Sequence, residues 1–236
     1  LNDEIDIAVH SLKDVPTQLP QNIEIVAYLE RDFPQDVLIR KESSRNKEFH
    51  ELKLATSSLR RRAFWLKNYP HAEFSDIRGN IQTRLQKLEE GDFDATILSL
   101  AGIKRMKMDI DYEMLPLMIP AASQGVIAVA GHSDKTEINE ILSQINHKKT
   151  QICVEIERNF LSTLEGGCTA PIGAFAEMIE NQIRFKAALC SLDGKNCIAT
   201  DENFEYNDTE NFGEKFAKIV LENGGKELMT EIKNSY

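Results

Sequence analysis

Leu52-Lys53-Leu54-Ala55-Thr56-Ser57-Ser58-Leu59-Arg60-Arg61-Arg62-Ala63-Phe64-Trp65 changes character halfway along. Leu52 to Ala55 reads as a short strand. Thr56, Ser57 and Ser58 then offer hydroxyls that can cap the free N–H groups of a helix, predicted over residues 59–69 and stopped by Pro70. The same alternation extends in both directions. A strand is expected over residues 36–40 upstream. Downstream come a strand over 73–77, a helix over 80–90 with Ile81, Leu85 and Leu88 on one face, a strand over 95–100 and a short helix over 102–106. Repeated strand–helix alternation predicts an α/β fold built on a mostly parallel sheet covered on both faces.

Two breaks bound this region. Glu30-Arg31-Asp32-Phe33-Pro34 is polar and ends in proline, and Ile119-Pro120-Ala121-Ala122-Ser123-Gln124-Gly125 carries both Pro and Gly. Before the first break, Ile5, Ile7 and Val9 alternate as a strand requires, and a second strand is expected over 23–29. After the second break come a strand over 126–130 and helices over 136–146 and 150–164. The last of these has Cys153, Ile156, Phe160 and Leu164 on one face and ends at Glu165-Gly166-Gly167-Cys168. The remainder reads differently. Strands over 183–192 and 197–203 flank an Asp193-Gly194 turn, and a helix over 213–222 is broken by Gly224-Gly225, which predicts a small α+β domain.

At 236 residues the chain suits one large domain or two to three small ones. It is 42% hydrophobic and 28% charged, has no apolar run long enough to span a bilayer, and lacks the basic-then-apolar start of a secretory signal; a cytoplasmic protein is expected. It starts at Leu1 inside an apparent strand region, so the expectation is a start within a folded domain. Cys153, Cys168, Cys190 and Cys197 form no CxxC pair and no zinc-ligand spacing, so no metal site is expected and the thiols are expected to be reduced; a bond between Cys190 and Cys197 is geometrically possible. The net charge of −10 disfavours general nucleic-acid binding. Residues 53–87 nevertheless hold eight basic and two acidic residues, +6, which leaves −16 for the rest. A local cationic site in an acidic protein suits a small anionic ligand rather than a polyanion.

Three features carry chemistry. Arg60, Arg61 and Arg62 fall in the first turns of a helix, and Arg78 and Arg84 lie at and in the next one; helix N-termini already favour anions, and a guanidinium fork suits carboxylates. A solvated basic helix face is the alternative. Lys13-Asp14 follows a strand end, where an acid in a cleft stabilises cations or moves protons, and where a plain surface turn is also possible. Gly166-Gly167 leaves the Cys168 thiol unshielded, although most free cysteines are small buried hydrophobes. A helix C-terminus disfavours a thiolate, so Cys168 suits a thiol captured once by a strong electrophile rather than a low-pKa nucleophile.

Six stretches, in order, resemble the motifs of the porphobilinogen deaminase (hydroxymethylbilane synthase) family. They are His10-Ser11-Leu12-Lys13-Asp14-Val15-Pro16, Thr56-Ser57-Ser58-Leu59-Arg60-Arg61, Ile77-Arg78-Gly79-Asn80 with Thr83-Arg84-Leu85, Ala101-Gly102-Ile103-Lys104-Arg105, Ser123-Gln124-Gly125 and Leu164-Glu165-Gly166-Gly167-Cys168. The resemblance departs at the front, where the family carries further residues. It implies two domains like periplasmic binding proteins, the first incomplete here (1–30 and 125–143, then 35–119), and a small C-terminal α+β domain over 148–236.

The resemblance further implies a dipyrromethane cofactor held by Cys168 through a thioether. Porphobilinogen is then the substrate, four molecules being joined with loss of ammonia into hydroxymethylbilane, on the route to heme. Asp14 is implied as the catalytic acid beside the cationic intermediate. Cofactor and substrate contacts are implied at Lys13, at Thr56, Ser57 and Ser58, at Arg60, Arg61, Arg78 and Arg84, and at Arg105 and Gln124. A monomer without nucleic-acid or membrane partners is expected, and residues 1–236 alone are expected to be inactive. The rival reading is a non-enzymatic two-domain binding protein for a small organic anion. It has no use for a covalently loaded Cys168.

Overall fold

The computed structural model describes residues 5–164, 170–207 and 209–235. The chain opens with β1 (Ile7–Ser11), one 3₁₀ turn (Leu12–Asp14) and β2 (Ile23–Tyr28). It then crosses into a second sheet and builds β3 (Asp36–Arg40), β4 (Leu54–Ala55), α1 (Leu59–Asn68), β5 (Phe74–Ser75), α2 (Ile81–Glu90), β6 (Ala95–Ser99), α3 (Leu100–Arg105) and β7 (Glu113–Met114). A second crossing leads back to β8 (Ile127–His132), which inserts between β1 and β2 and runs antiparallel to both. α4 (Thr136–Ser143) and α5 (Lys148–Thr163) follow. The third sheet, β9 (Ile172–Ile179), β10 (Gln182–Cys190) and β11 (Cys197–Glu205), is wholly antiparallel; α6 (Phe212–Val220) and α7 (Lys226–Asn234) close the chain. No helix among the described residues is long and apolar enough to cross a membrane.

Local chemistry explains the elements that face the cleft. Ser58 caps α1 by accepting the N–H of Arg61, and Asn80 caps α2 by accepting that of Thr83 at 2.8 Å. α1 ends at Asn68 with Tyr69 as its C-cap, before Pro70 can interrupt its hydrogen bonds. Its inner face buries Trp65 completely, against Phe49 and Tyr69, in a core that also takes in Leu38, Leu54, Ala188 and Cys190. The third sheet thus shares a core with the second.

Three expectations are corrected. The second sheet has the order β5-β4-β6-β3-β7, and only β4 pairs in parallel, with β5 and with β6; β3 is antiparallel to β6 and to β7. The alternation rule holds where a helix joins neighbouring strands, but β3 arrives from another sheet and no crossover helix constrains its direction. β9 was not expected. Its Gly173, Ala174 and Ala176 give little β propensity, and its inner residues are buried by α5. Cys190 and Cys197 are direct cross-strand partners and are joined in a disulfide, in place of the expected reduced thiols. The spacing alone gave no register for that hairpin.

The crossings are pinned by one acid. Glu157 on α5 is fully buried and accepts Arg31 Nη2 at 2.8 Å in the first crossing, the Ser123 N–H at 2.7 Å in the second, and the Ala176 N–H at 2.7 Å in β9. Burial pushes its carboxyl upward, and Arg31 and the two N–H groups oppose that shift. Gly125, at φ +89°, lets the crossings touch: a Cβ there would lie 3.1 Å from the carbonyl oxygens of Asp32 and Phe33.

Candidate active site

The 3₁₀ turn after β1 is held from below. Leu12 is fully buried against Tyr28, Val126, Ala128 and Val154, and its N–H donates to the Val126 carbonyl at 2.9 Å. This anchor presents Lys13, half-buried, and Asp14, exposed, across from the starts of α1, α2 and α3. Between them lies a cavity of about 400 Å³. Lys13, Arg61, Arg84 and Arg105 line it, with Asp14 as the one acid among its described residues. A second cavity of about 230 Å³ shares Lys13, Asp14 and Arg61 and adds Ser58, Arg60, Gln124, Leu161 and Ala170. Gly79 lines the larger cavity at φ +122°, where any Cβ would meet Thr83 at 2.7 Å, so a side chain at this position is both strained and obstructed.

The structure gathers Lys13, Asp14, Ser58, Arg60, Arg61, Arg84, Arg105 and Gln124 around these two cavities. Arg60 and Arg61 are both 6% exposed and converge on Asp36, which is 1% exposed. Arg60 Nη1 donates to one Asp36 oxygen at 2.6 Å; Arg61 Nε and Nη2 donate to the other at 3.0 and 2.8 Å. Arg62 turns away, to Asp76 and the Thr56 carbonyl. Arg84 Nε donates to the Gly79 carbonyl at 2.8 Å, and Arg105 Nη2 to that of Gly125 at 2.7 Å. Gln124 is buried, and its amide reaches the Pro34 carbonyl and Asp36.

Other expected contacts stand apart from the cavities. Thr56 is buried, its hydroxyl accepts the Ser58 N–H, and the Ser57 hydroxyl bridges the carbonyl and N–H of Ile77, so both shape the backbone at the head of α1. Arg78 is exposed, and its side chain has no ion-pair or hydrogen-bond partner among the described residues. Cys168 lies outside the described residues; Leu161 and Ala170, on either side of segment 165–169, line the smaller cavity. Of the other cysteines, Cys153 is buried, and burial pushes its thiol up to about 12; Cys190 and Cys197 are bonded to each other.

Sequence reasoning missed Asp36 as a member of this site. Its one signal is an acid opening the apolar run Val37-Leu38-Ile39, two residues after Pro34. Burial alone would raise its carboxyl, but Arg60 and Arg61 more than offset this and hold it well below the usual range. Lys13 is lowered to about 8, first by burial and then by Arg61, with Asp14 and Asp36 opposing. The arrangement of several cationic donors with a single acid among the described lining residues suits a ligand rich in carboxylates.

Family models and relatives match most of the chain. A family model described as porphobilinogen deaminase, dipyrromethane cofactor binding domain, matches residues 1–140, and one described as porphobilinogen deaminase, C-terminal domain, matches residues 151–222. The chain is 42% identical to the porphobilinogen deaminase of Carboxydothermus hydrogenoformans, covering 99% of this chain and 76% of that protein. It is 39% identical to that of Syntrophomonas wolfei (99% and 78%) and 37% identical to that of a Nostoc species (98% and 74%).

Proposed function

The chain belongs to the porphobilinogen deaminase family, and from that membership we propose how its own residues divide the work. The reaction joins four porphobilinogen molecules into hydroxymethylbilane with release of ammonia, in tetrapyrrole biosynthesis, and uses a dipyrromethane cofactor. The donor set of the cleft fits such a group: four bases against one acid suit a chain of pyrroles that carries several carboxylates. When bound, the dipyrromethane supplies the pyrrole end that is extended.

Arg60, Arg61 and Arg84 bind and orient carboxylates, and Lys13 adds a charge beside them. Asp14 faces the pyrrole nitrogens and stabilises the positive charge that develops as ammonia leaves. Cys168 holds the cofactor as a thioether. Supporting this, Cys153 is buried with a raised pKa and the other two cysteines are paired. Residues 1–30 with 125–143, and 35–119, act as two domains like periplasmic binding proteins that close over the cleft, with 148–236 as the cofactor-carrying domain. The enzyme works as a cytoplasmic monomer. The observation that carries this reading is the cavity where Lys13 and Asp14 meet Arg61 and Arg84.

The pH dependence of binding tests it. Lys13 is charged below its pKa of about 8. Apparent porphobilinogen affinity, read as KM from the rate of hydroxymethylbilane formation by the protein with its cofactor in place, should therefore fall as pH rises through about 8. Folding stability should change in the opposite sense. The folded protein releases the Lys13 proton at about 8 and the unfolded chain only near its ordinary value of 10.5, so stability rises between these limits. In Lys13→Arg the fall in affinity near pH 8 should disappear. An affinity profile that is flat in the wild type, or the same in both proteins, would remove Lys13 from the site.

A further inference from the structure

Asp36 has no exposed surface to offer a ligand, yet it touches three residues of the cleft. One oxygen accepts Arg61 Nε and Nη2 at 3.0 and 2.8 Å and Gln124 Nε2 at 3.2 Å; the other accepts Arg60 Nη1 at 2.6 Å. Backbone carbonyls take more of the forks: Ile119 accepts from Arg60 Nη1 at 2.6 Å and Ile97 from Arg61 Nη1 at 2.7 Å. A guanidinium carries five N–H groups. These bonds leave Arg60 its Nε and Nη2 donors and leave Arg61 one hydrogen on each terminal nitrogen. Both side chains line the smaller cavity, so the uncommitted donors are the ones a carboxylate there can use. Asp36 also stands where the first crossing enters β3, and Gln124 ties it to the second crossing and to the Pro34 carbonyl at 2.6 Å.

We propose that Asp36 is a positioning residue for the reaction: one buried carboxylate, braced by both crossings, fixes which N–H groups of Arg60 and Arg61 meet the carboxylates of the substrate and the growing chain. The inference rests on the site reading given above. It separates from two simpler roles by sign. A charge mask would lower affinity for anions, so that its removal tightens binding. A purely structural support would lower stability and leave the affinity of the folded protein alone.

The test is porphobilinogen binding, read as KM from the rate of hydroxymethylbilane formation, and cofactor content by intact mass, on the cofactor-carrying protein. Folding is checked by circular dichroism. Asp36→Asn keeps the shape and removes the charge; Asp36→Glu keeps the charge and moves the oxygens. Both are expected to weaken porphobilinogen binding by about tenfold or more, the scale of one lost charge-assisted contact. Asp76→Asn, which removes only the exposed partner of Arg62, should leave binding unchanged. Tighter or unchanged binding in Asp36→Asn, or unchanged binding in Asp36→Glu, overturns the proposal. So does failure of both variants to fold, which marks Asp36 as structural. Arg84→Leu distinguishes the two levels. If it leaves binding intact the site itself is misread, and if it weakens binding while the Asp36 variants do not, only the positioning role falls.

Discussion

Replacing Asp14 with Asn is expected to lower hydroxymethylbilane formation by about two orders of magnitude or more, with cofactor content unchanged. The side chain is exposed on a turn that the burial of Leu12 holds in place, so the substitution leaves the fold alone. It is also the one acid among the described residues of a cavity otherwise lined by bases. The positive charge on the pyrrole ring itself appears only as ammonia departs. A carboxylate that answers it contributes in the transition state and little in the ground state, so the loss should fall on kcat rather than KM. Steady-state kinetics with intact mass on the same sample checks both halves. Turnover within about threefold of wild type would exclude Asp14 from the chemistry.

Arg61→Leu is expected to cost about 3–5 kcal/mol of stability, because it leaves Asp36 buried with much of its compensation gone. Arg62→Leu removes an ion pair to Asp76, whose side chain is 72% exposed, and should cost at most about 1 kcal/mol. Urea denaturation reads the difference. Porphobilinogen binding should follow the same order, lost in the first variant and kept in the second. Equal losses in the two would contradict the placement of Arg61 inside the cleft and Arg62 outside it.

The strand, cap and helix around residues 52–69 were legible because each signal is local: apolar run, hydroxyl cap, proline stop. Lys13-Asp14 and the arginines were legible as a group through their placement after strands and at helix starts. What failed was non-local. The direction of β3 depends on a chain arriving from another sheet. β9 is a strand because α5 covers it. The pairing of Cys190 with Cys197 depends on a hairpin register. Within the site, Arg78 and Arg61 look alike in sequence, yet one is exposed and the other buried on Asp36. Nothing in the run Asp36-Val37-Leu38-Ile39 announces that its acid meets side chains 24, 25 and 88 residues away.

On the proposed assignment this chain extends pyrroles on a cofactor held by Cys168. Intact mass followed by peptide mapping, on protein purified from cells that make porphobilinogen, tests it most directly. The expected result is the added mass of two linked pyrroles, located on the peptide that contains Cys168. A free thiol at Cys168 in active protein, or the added mass on Cys153, would contradict it.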